Sequence, residues 1–410
     1  LNQPHAEAEA PSERSSSTRI DHLEPERSVI MELSARRWKP LVIVAVVGVA
    51  VALFVGLLRS DGPAPGGPTG RATCNIAPGD GEVAVTAAIA NCPDGSTVRF
   101  PRDAVYHQTA EIKVERRVNL TIDGNGSRFI STAPNSDQLD PNWMVVDGVN
   151  LILQNMTVEG NFKMDGPRSL ERMQLELPSG NHFNGGVMVY GGEGVTVRDV
   201  TIQDTFGDGA YAGPSGILPG GAGPNVGLPR NVRFERLHIT RTARQGVAFT
   251  GGVGLWLEDS TINDAWYLGV DLEIDVPGQL LQDVHILRNT FDGSFFGAIA
   301  LPWPGDGRSV DGIEIRENRT LAPPDNCGPQ ISINAYPDQT VPVSNVVTEQ
   351  NDLLTLSRGI IYRSVTSGAI RDNRIEKRPS AAACGDPEEA PTLVPQSPAV
   401  VVEGNTAVNY

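Results

Sequence analysis

Six short segments decide the fold: Gly186-Val-Met-Val, Gly209-Ala-Tyr-Ala, Gly246-Val-Ala-Phe, Gly269-Val-Asp-Leu, Gly297-Ala-Ile-Ala and Gly359-Ile-Ile-Tyr. Each is a glycine followed by a short, largely apolar strand, and the motif returns at intervals of twenty-odd to thirty-odd residues. A second pattern runs out of phase with it. There an apolar strand reaches an Asp or Asn corner and resumes, as in Val195-Thr-Val-Arg-Asp199-Val-Thr-Ile and Leu255-Trp-Leu-Glu-Asp259-Ser-Thr-Ile. Repeats of this period built from strands describe a solenoid in which each repeat is one coil. Corners at Asn155, Asp199, Asp259, Asn289, Asn318, Asn351, Asn373 and Asn405 recur about once per coil. Asp and Asn tolerate the left-handed backbone region and hydrogen-bond their own turns, so the corners are expected to stack into a ladder. A β-sandwich would show tight two-residue hairpins, and few are visible. A leucine-rich repeat would need its own consensus and helices, which the chain lacks.

The flanking sequence sets the context. The 410 residues include 44 glycines and 31 prolines and carry a net charge of -16. Lysine occurs only at positions 39, 113, 163 and 377. A nucleic-acid partner requires a basic surface, so that class is excluded. Leu41 to Leu58 is eighteen residues without a charge, long enough to span a bilayer. Arg36, Arg37 and Lys39 precede it and only Arg59 follows closely, which puts the N-terminus in the cytoplasm and the bulk of the chain outside. The expected organisation is a disordered cytoplasmic tail (1–38), a transmembrane signal-anchor helix (39–59), a Pro/Gly linker (60–72) and an extracytoplasmic domain (73–410). A cleaved signal peptide and a buried core helix are the alternatives for the apolar stretch. Residues 1–30 read as a short tail or an upstream extension, with Met31 resembling a natural start. All four cysteines lie beyond the apolar stretch. An even number in an oxidising compartment predicts two disulfides, with the local pairing Cys74–Cys92 and Cys327–Cys384 expected and free buried thiols as the alternative.

Ala84 to Asn91 has a short helical pattern placed where the first coil needs a cover for its open edge. Together with Pro93-Asp-Gly-Ser-Thr-Val-Arg-Phe-Pro101, Ile122-Asp-Gly-Asn-Gly126 and the Asn corners, this resembles the right-handed parallel β-helix, or pectin-lyase-like, superfamily over about residues 74–410. The resemblance implies an all-β right-handed parallel β-helix with an N-terminal cap helix, preceded here by one transmembrane helix. It implies no single activity, because lyases, hydrolases, epimerases, esterases, tailspikes and adhesins share the fold. The polygalacturonase-like signatures, the pectate-lyase arginine motif and the Asp-Pro-His-Asp of alginate epimerases are absent. The nearest fragment is Gly207-Asp208-Gly209, with one carboxylate where two are expected.

Aligning the glycines puts residues of adjacent coils about 4.8 Å apart. Val270 and Leu272 then point inward, and Asp271 and Glu273 point outward, roughly 6.5–7 Å apart along one strand. Ala248 and Ile299 are read as the apolar neighbours of this charged pair. One outer patch gathers Asp208, Tyr211, Arg244, Gln245, Asp271 and Glu273, with Trp266, Tyr267, Trp303 and Asp275 at its edge. Two carboxylates at such a spacing can serve as general acid and base, and a wide separation leaves room for a water. Proximity raises one of the two pKa values. Arg244 could hold a substrate carboxylate or developing charge, and exposed Trp and Tyr rings offer faces to sugars. The competing account is structural: a strand with one solvated face needs polar residues there, Gly-Asp-Gly is good turn chemistry, and Arg244 can bridge Asp271.

Two loops break the repeat, Asn161 to Phe183 and Gly213 to Pro229, and are positioned to wall a cleft. The histidines 182, 238 and 285 show no metal-ligand spacing. Calcium is a weaker expectation, resting on the carboxylates Asp208, Asp271, Glu273 and Asp275; no other cofactor is expected. The sequons at Asn119, Asn125, Asn155 and Asn318 read as repeat chemistry. The functional expectation is a membrane-anchored protein acting on a polysaccharide, foremost a glycoside hydrolase using Asp271 and Glu273. A uronate lyase and a non-catalytic cell-surface protein are the alternatives.

Overall fold

The computed structural model describes residues 72–132, 143–162, 185–223, 226–274, 279–302, 309–321, 327–335, 342–379, 390–394 and 396–410. All belong to the compact unit Gly67–Tyr410. The tail, the apolar stretch 41–58 and nearly all of the linker lie outside the described residues. Among the described residues no helix is long and apolar enough to cross a membrane.

The chain winds as a parallel β-helix. One wall is a ten-stranded parallel sheet containing the strands Val187–Tyr190, Ala210–Gly213, Val247–Phe249, Leu268–Asp271 and Gly297–Leu301 side by side. The rest of each coil belongs to a twenty-stranded sheet, also paired in parallel throughout. The core lies between them. Val187, Ala210, Val247, Val270, Ile299, Ile331 and Ile360 stack in register from the first sheet. Leu153, Val197, Phe234, Leu257, Ile286 and Ile315 stack in register from the second. Every one of these side chains is buried, each Val, Leu, Ile or Phe among them contributing roughly 1.5–3 kcal/mol of hydrophobic stabilisation.

The glycines at the heads of the strands are explained by close approach. A Cβ on Gly186, Gly209, Gly246 or Gly269 would sit 2.3, 2.5, 2.4 or 2.6 Å from side-chain atoms of Ile202, Ile239, Ile262 or Phe291. The glycine therefore lets the first sheet turn in against core side chains of the second.

The corners resolve into two adjacent columns, where a single one was expected. Asn155, Asp199 and Asp259 do occupy the left-handed region, at φ 57, 54 and 53°. Further along, that position passes to Arg288, Glu317, Gln350 and Asp372, at φ 56, 57, 57 and 55°. The asparagines follow one residue later and point inward. Asn289 donates its backbone and side-chain N–H groups to Asn318 Oδ1 at 2.9 and 3.0 Å, and Asn318 repeats this to Asn351 at 2.9 and 3.0 Å. Asn351, Asn373 and Asn405 continue the ladder. Asn318 is buried in it, so the sequon there is repeat chemistry.

The cap helix is Glu82–Asn91, two residues longer at its start than the sequence pattern, and buries Val85 and Ile89 one turn apart on one face. Arg117 donates to the carbonyl oxygens of Ala90 and Cys92, satisfying the helix C-terminus. Cys74 and Cys92 are disulfide-bonded, tying the first strand to the end of this helix. Cys327 is also disulfide-bonded, and Cys384, its expected partner, lies outside the described residues.

Candidate functional site

The outer face of the ten-stranded sheet carries two columns. In the first, Met144, Met188, Tyr211, Ala248, Asp271 and Ala300 are in register across six coils. Asp271 is the acidic member of these six, whose other members are apolar or aromatic; the row continues to Lys113 at one end and Ser332 at the other. Its neighbours are Ala248 and Ala300; Ile299, expected beside it, pairs with Val270 and faces the core. The expectation was one residue out of register at that coil, and in a strand one residue exchanges faces. The second column lies two residues further along the strands and contains Val146, Tyr190 and Gly213.

The turn before each strand brings the charges together. Asp208 precedes Ala210–Gly213, and Arg244 and Gln245 precede Val247–Phe249 one coil later. Gln245 is the organising residue. Its backbone N–H donates to Asp208 Oδ1 at 3.2 Å, its Nε2 donates to Asp271 Oδ2 at 2.6 Å, and its Oε1 accepts from the Leu268 N–H at 3.0 Å. The backbone N–H and the side-chain N–H of this one residue thus hold carboxylates from the coils on either side, while the amide oxygen ties the side chain to the Leu268 backbone. Arg244 lies between acids from either side, 3.6 Å from Asp208 Oδ2 and 3.4 Å from Glu273 Oε2.

Burial sets the chemistry. Asp208 is 1% exposed, and its carboxyl is raised to about 6, chiefly by desolvation. Arg244 opposes that rise, Glu273 adds to it by like-charge repulsion, and the Gln245 N–H opposes it. Asp271 does point to the outer face as expected, yet it is only 3% exposed; Glu273 retains 25% of its side-chain surface. Tyr211 is buried, with its hydroxyl 2.5 Å from Thr250 Oγ1 and its ring 5.1 Å from Tyr190. Burial drives the Tyr190 phenol well above the ordinary tyrosine range, with Tyr211 and Asp208 adding to it.

Asp208, Arg244, Gln245, Asp271 and Glu273 are therefore assembled as expected, with Tyr211 alongside. Tyr267 is half-buried next to Arg244, whose carbonyl accepts its backbone N–H at 3.1 Å. Trp266 departs from expectation. It is fully buried, 5.1 Å from the Phe162 ring, in a satellite cluster with Phe206 and Ala243. Phe206, Ala243, Trp266 and Phe295 each stand four residues before a core residue of the first sheet, so this is a corner column. Trp266 and Tyr211 thus present no exposed ring face. Trp303 and Asp275 lie outside the described residues, as does most of the loop 161–183. The loop after Gly213 sends Leu218 onto Met188, Tyr190 and Tyr211. Tyr190 and Thr250 were missed; carrying the register two residues past Met188 and Ala248 would have found both. Among the described residues no group of three or more His, Cys, Asp or Glu side chains could hold a metal ion. Calcium does not fit the acids present, because a guanidinium already stands between Asp208 and Glu273.

Stacked parallel coils behind a cap helix, with polar residues gathered on one outer wall, define the pectin-lyase-like parallel β-helix fold, and this chain has it. No protein-family model and no curated protein sequence matches the chain. Among solved structures it is similar to endo-xylogalacturonan hydrolase from Aspergillus tubingensis, at 13% identity over 82% of this chain and 92% of that one, TM-score 0.58. It is also similar to the Dettilon tailspike protein (14% identity, 79% of this chain, 57% of that one, TM-score 0.50) and to the Agl-KA catalytic domain (15%, 80%, 64%, TM-score 0.49). At these identities the likeness to the first two establishes the fold and nothing further.

Proposed function

We propose that this chain is a carbohydrate-active enzyme that hydrolyses glycosidic bonds at the outer face of the ten-stranded sheet, with Asp208 as the general acid. The observation that supports it is a fully buried carboxyl poised at about 6, one guanidinium away from a second, partly exposed carboxylate, Glu273. A general acid works best with a pKa near the working pH, because it must carry a proton and still give it up. Asp208 protonates the leaving oxygen, and Glu273, the most solvent-accessible of the three acids, activates water. Asp271, clamped by Gln245, completes the acidic floor beneath the sugar. This keeps the Asp/Glu chemistry read from the sequence but moves the proton donor from the Asp271–Glu273 pair to Asp208. An endo-xylogalacturonan hydrolase is among the structural neighbours, which is compatible with a hydrolytic assignment.

The N-terminal segment 39–59 is proposed to anchor the enzyme with residues 73–410 outside the cytoplasm. The Cys74–Cys92 disulfide supports an oxidising location. Protease added to intact cells should then remove the β-helix domain.

The reaction is tested by the pH dependence of kcat/KM in a reducing-end assay. The rate should fall about tenfold per pH unit above about 6, and Asp208→Asn should abolish turnover. A rate flat between pH 5 and 8 would sink Asp208 as the acid.

A further inference from the structure

Resting on that hydrolytic assignment, we propose that the site takes an uncharged sugar, excludes uronates, and uses the Tyr190 hydroxyl to bind a substrate hydroxyl. Two independent observations support it. The first is charge. Asp208 and Glu273 already share the Arg244 guanidinium at 3.6 and 3.4 Å, and Asp271 is held by the Gln245 amide at 2.6 Å. The next arginine back along the chain, Arg241, is committed to Asp204 through two hydrogen bonds of 2.6 and 2.7 Å. An incoming carboxylate therefore meets acidic groups with no uncommitted cation among these residues, whereas recognising a uronate calls for a bidentate arginine. The second is hydrogen bonding. The Tyr190 hydroxyl is buried with no hydrogen-bond partner among the described residues, and the residue is 1% exposed. Its ring lies 5.1 Å from that of Tyr211, which stands in the same column as Asp271 with Ala248 between them. Buried polar groups are almost always paired, and an orphaned one calls for a ligand group or an ordered water. The Tyr211 hydroxyl is occupied by Thr250 at 2.5 Å, leaving Tyr190 as the tyrosine able to take a new partner. A neutral sugar offers the hydroxyls that such a group pairs with.

The test uses the full chain and two matched pairs of β-linked polymers that differ only in oxidation at C6: soluble cellulose and its C6-oxidised glucuronan, and β-mannan and mannuronan. Reducing ends are measured for each. The expected result is turnover of a neutral member, with its uronate partner at least ~100-fold slower in kcat/KM because of like-charge repulsion at contact distance. Comparable or faster turnover of a uronate overturns this inference and leaves the hydrolytic assignment standing. If no polymer is cleaved, the hydrolytic assignment falls, and affinity electrophoresis of the wild type in the same polymers decides the present one. Retardation by a neutral polymer alone upholds it; retardation by a uronate, or by none, overturns it. For Tyr190→Phe, a KM about tenfold higher on the neutral polymer, with kcat and melting temperature unchanged, is expected. An unchanged KM overturns the role of Tyr190.

Discussion

Replacing Asp208 with Asn should make the protein more stable at pH 8 while removing its activity. The carboxyl rises from its ordinary 3.8 to about 6 in the fold, a change of about 2 units. At about 1.4 kcal/mol per unit, this is about 3 kcal/mol of linkage between protonation and folding. The folded value lies above the unfolded one, so the native state binds the proton more tightly. The stabilisation is complete below about pH 4 and is lost as pH rises through about 6. Little solvent screening reduces the figure, because the residue is 1% exposed. Arg244 does not reverse the sign, since desolvation outweighs its attraction. Asparagine cannot ionise, so it avoids this cost, and Arg244 keeps Glu273 at 3.4 Å. Guanidinium melts of both proteins at pH 4 and pH 8 measure the effect. The variant should gain up to about 3 kcal/mol at pH 8, and the two curves should converge near pH 4. Equal stability at pH 8, or a difference of the same size at both values, would refute burial as the cause of the raised pKa. A gain in stability with loss of turnover is the usual mark of a residue kept for function.

Three other substitutions probe the frame around the site. Gly246→Ala places a methyl group 2.4 Å from Ile262 Cγ2 and 2.6 Å from the Gly269 carbonyl oxygen, and should destabilise the fold by about 1–3 kcal/mol in a denaturant melt. Asn351→Leu strips two donors on Asn318 of their acceptor and should cost at least about 3 kcal/mol, whereas Asp352→Ala at the exposed neighbouring position should cost about 0–1 kcal/mol. Gln245→Met preserves side-chain volume but removes both amide bonds. It should cost about 1–3 kcal/mol of stability, since the buried Asp271 carboxylate loses this donor and the Leu268 N–H loses this acceptor, and should lower kcat on the polymer substrate at least tenfold when assayed well below the melting transition; an unchanged kcat would show that clamping Asp271 is irrelevant to turnover.

The solenoid was legible because its cause is repetitive. Each glycine-headed strand must approach the same kind of core side chain, so Gly186, Gly209, Gly246 and Gly269 recur for one steric reason. The corners were only half legible. Asn and Asp suit both a left-handed backbone and an inward amide ladder, so Asp259 and Asn289 look alike in sequence while standing one position apart in their coils. The difference emerges only when Arg288 is seen at φ 56°, a conformation that arginine adopts here and that sequence does not announce. Trp266 failed as a surface ring for a related reason. The corner column of Phe206, Ala243, Trp266 and Phe295 has no period-two alternation to mark it, and its burial comes from packing across coils.

The acids followed a different logic. Asp271 stood out because the neighbours expected beside it, Ala248 and Ile299, are apolar; the structure puts Ala300 in place of Ile299, and the contrast survives the change. What the contrast could not convey is depth. An outward-pointing residue on a solenoid is solvated only if nothing lies over it, and Asp271 is 3% exposed while Glu273 remains accessible. In the proposed assignment, depth is what distributes the roles. The three carboxylates are linked through Arg244 and Gln245 but differ in how far each is removed from water. Asp208, the most deeply buried, is pushed to about 6. A repeat fold makes this arrangement easy to build: changing one residue per coil at a fixed register places a carboxylate, a guanidinium or an amide every ~4.8 Å along the wall without disturbing the core column behind it. The site is a local departure from the repeat, held in place by the same repeat.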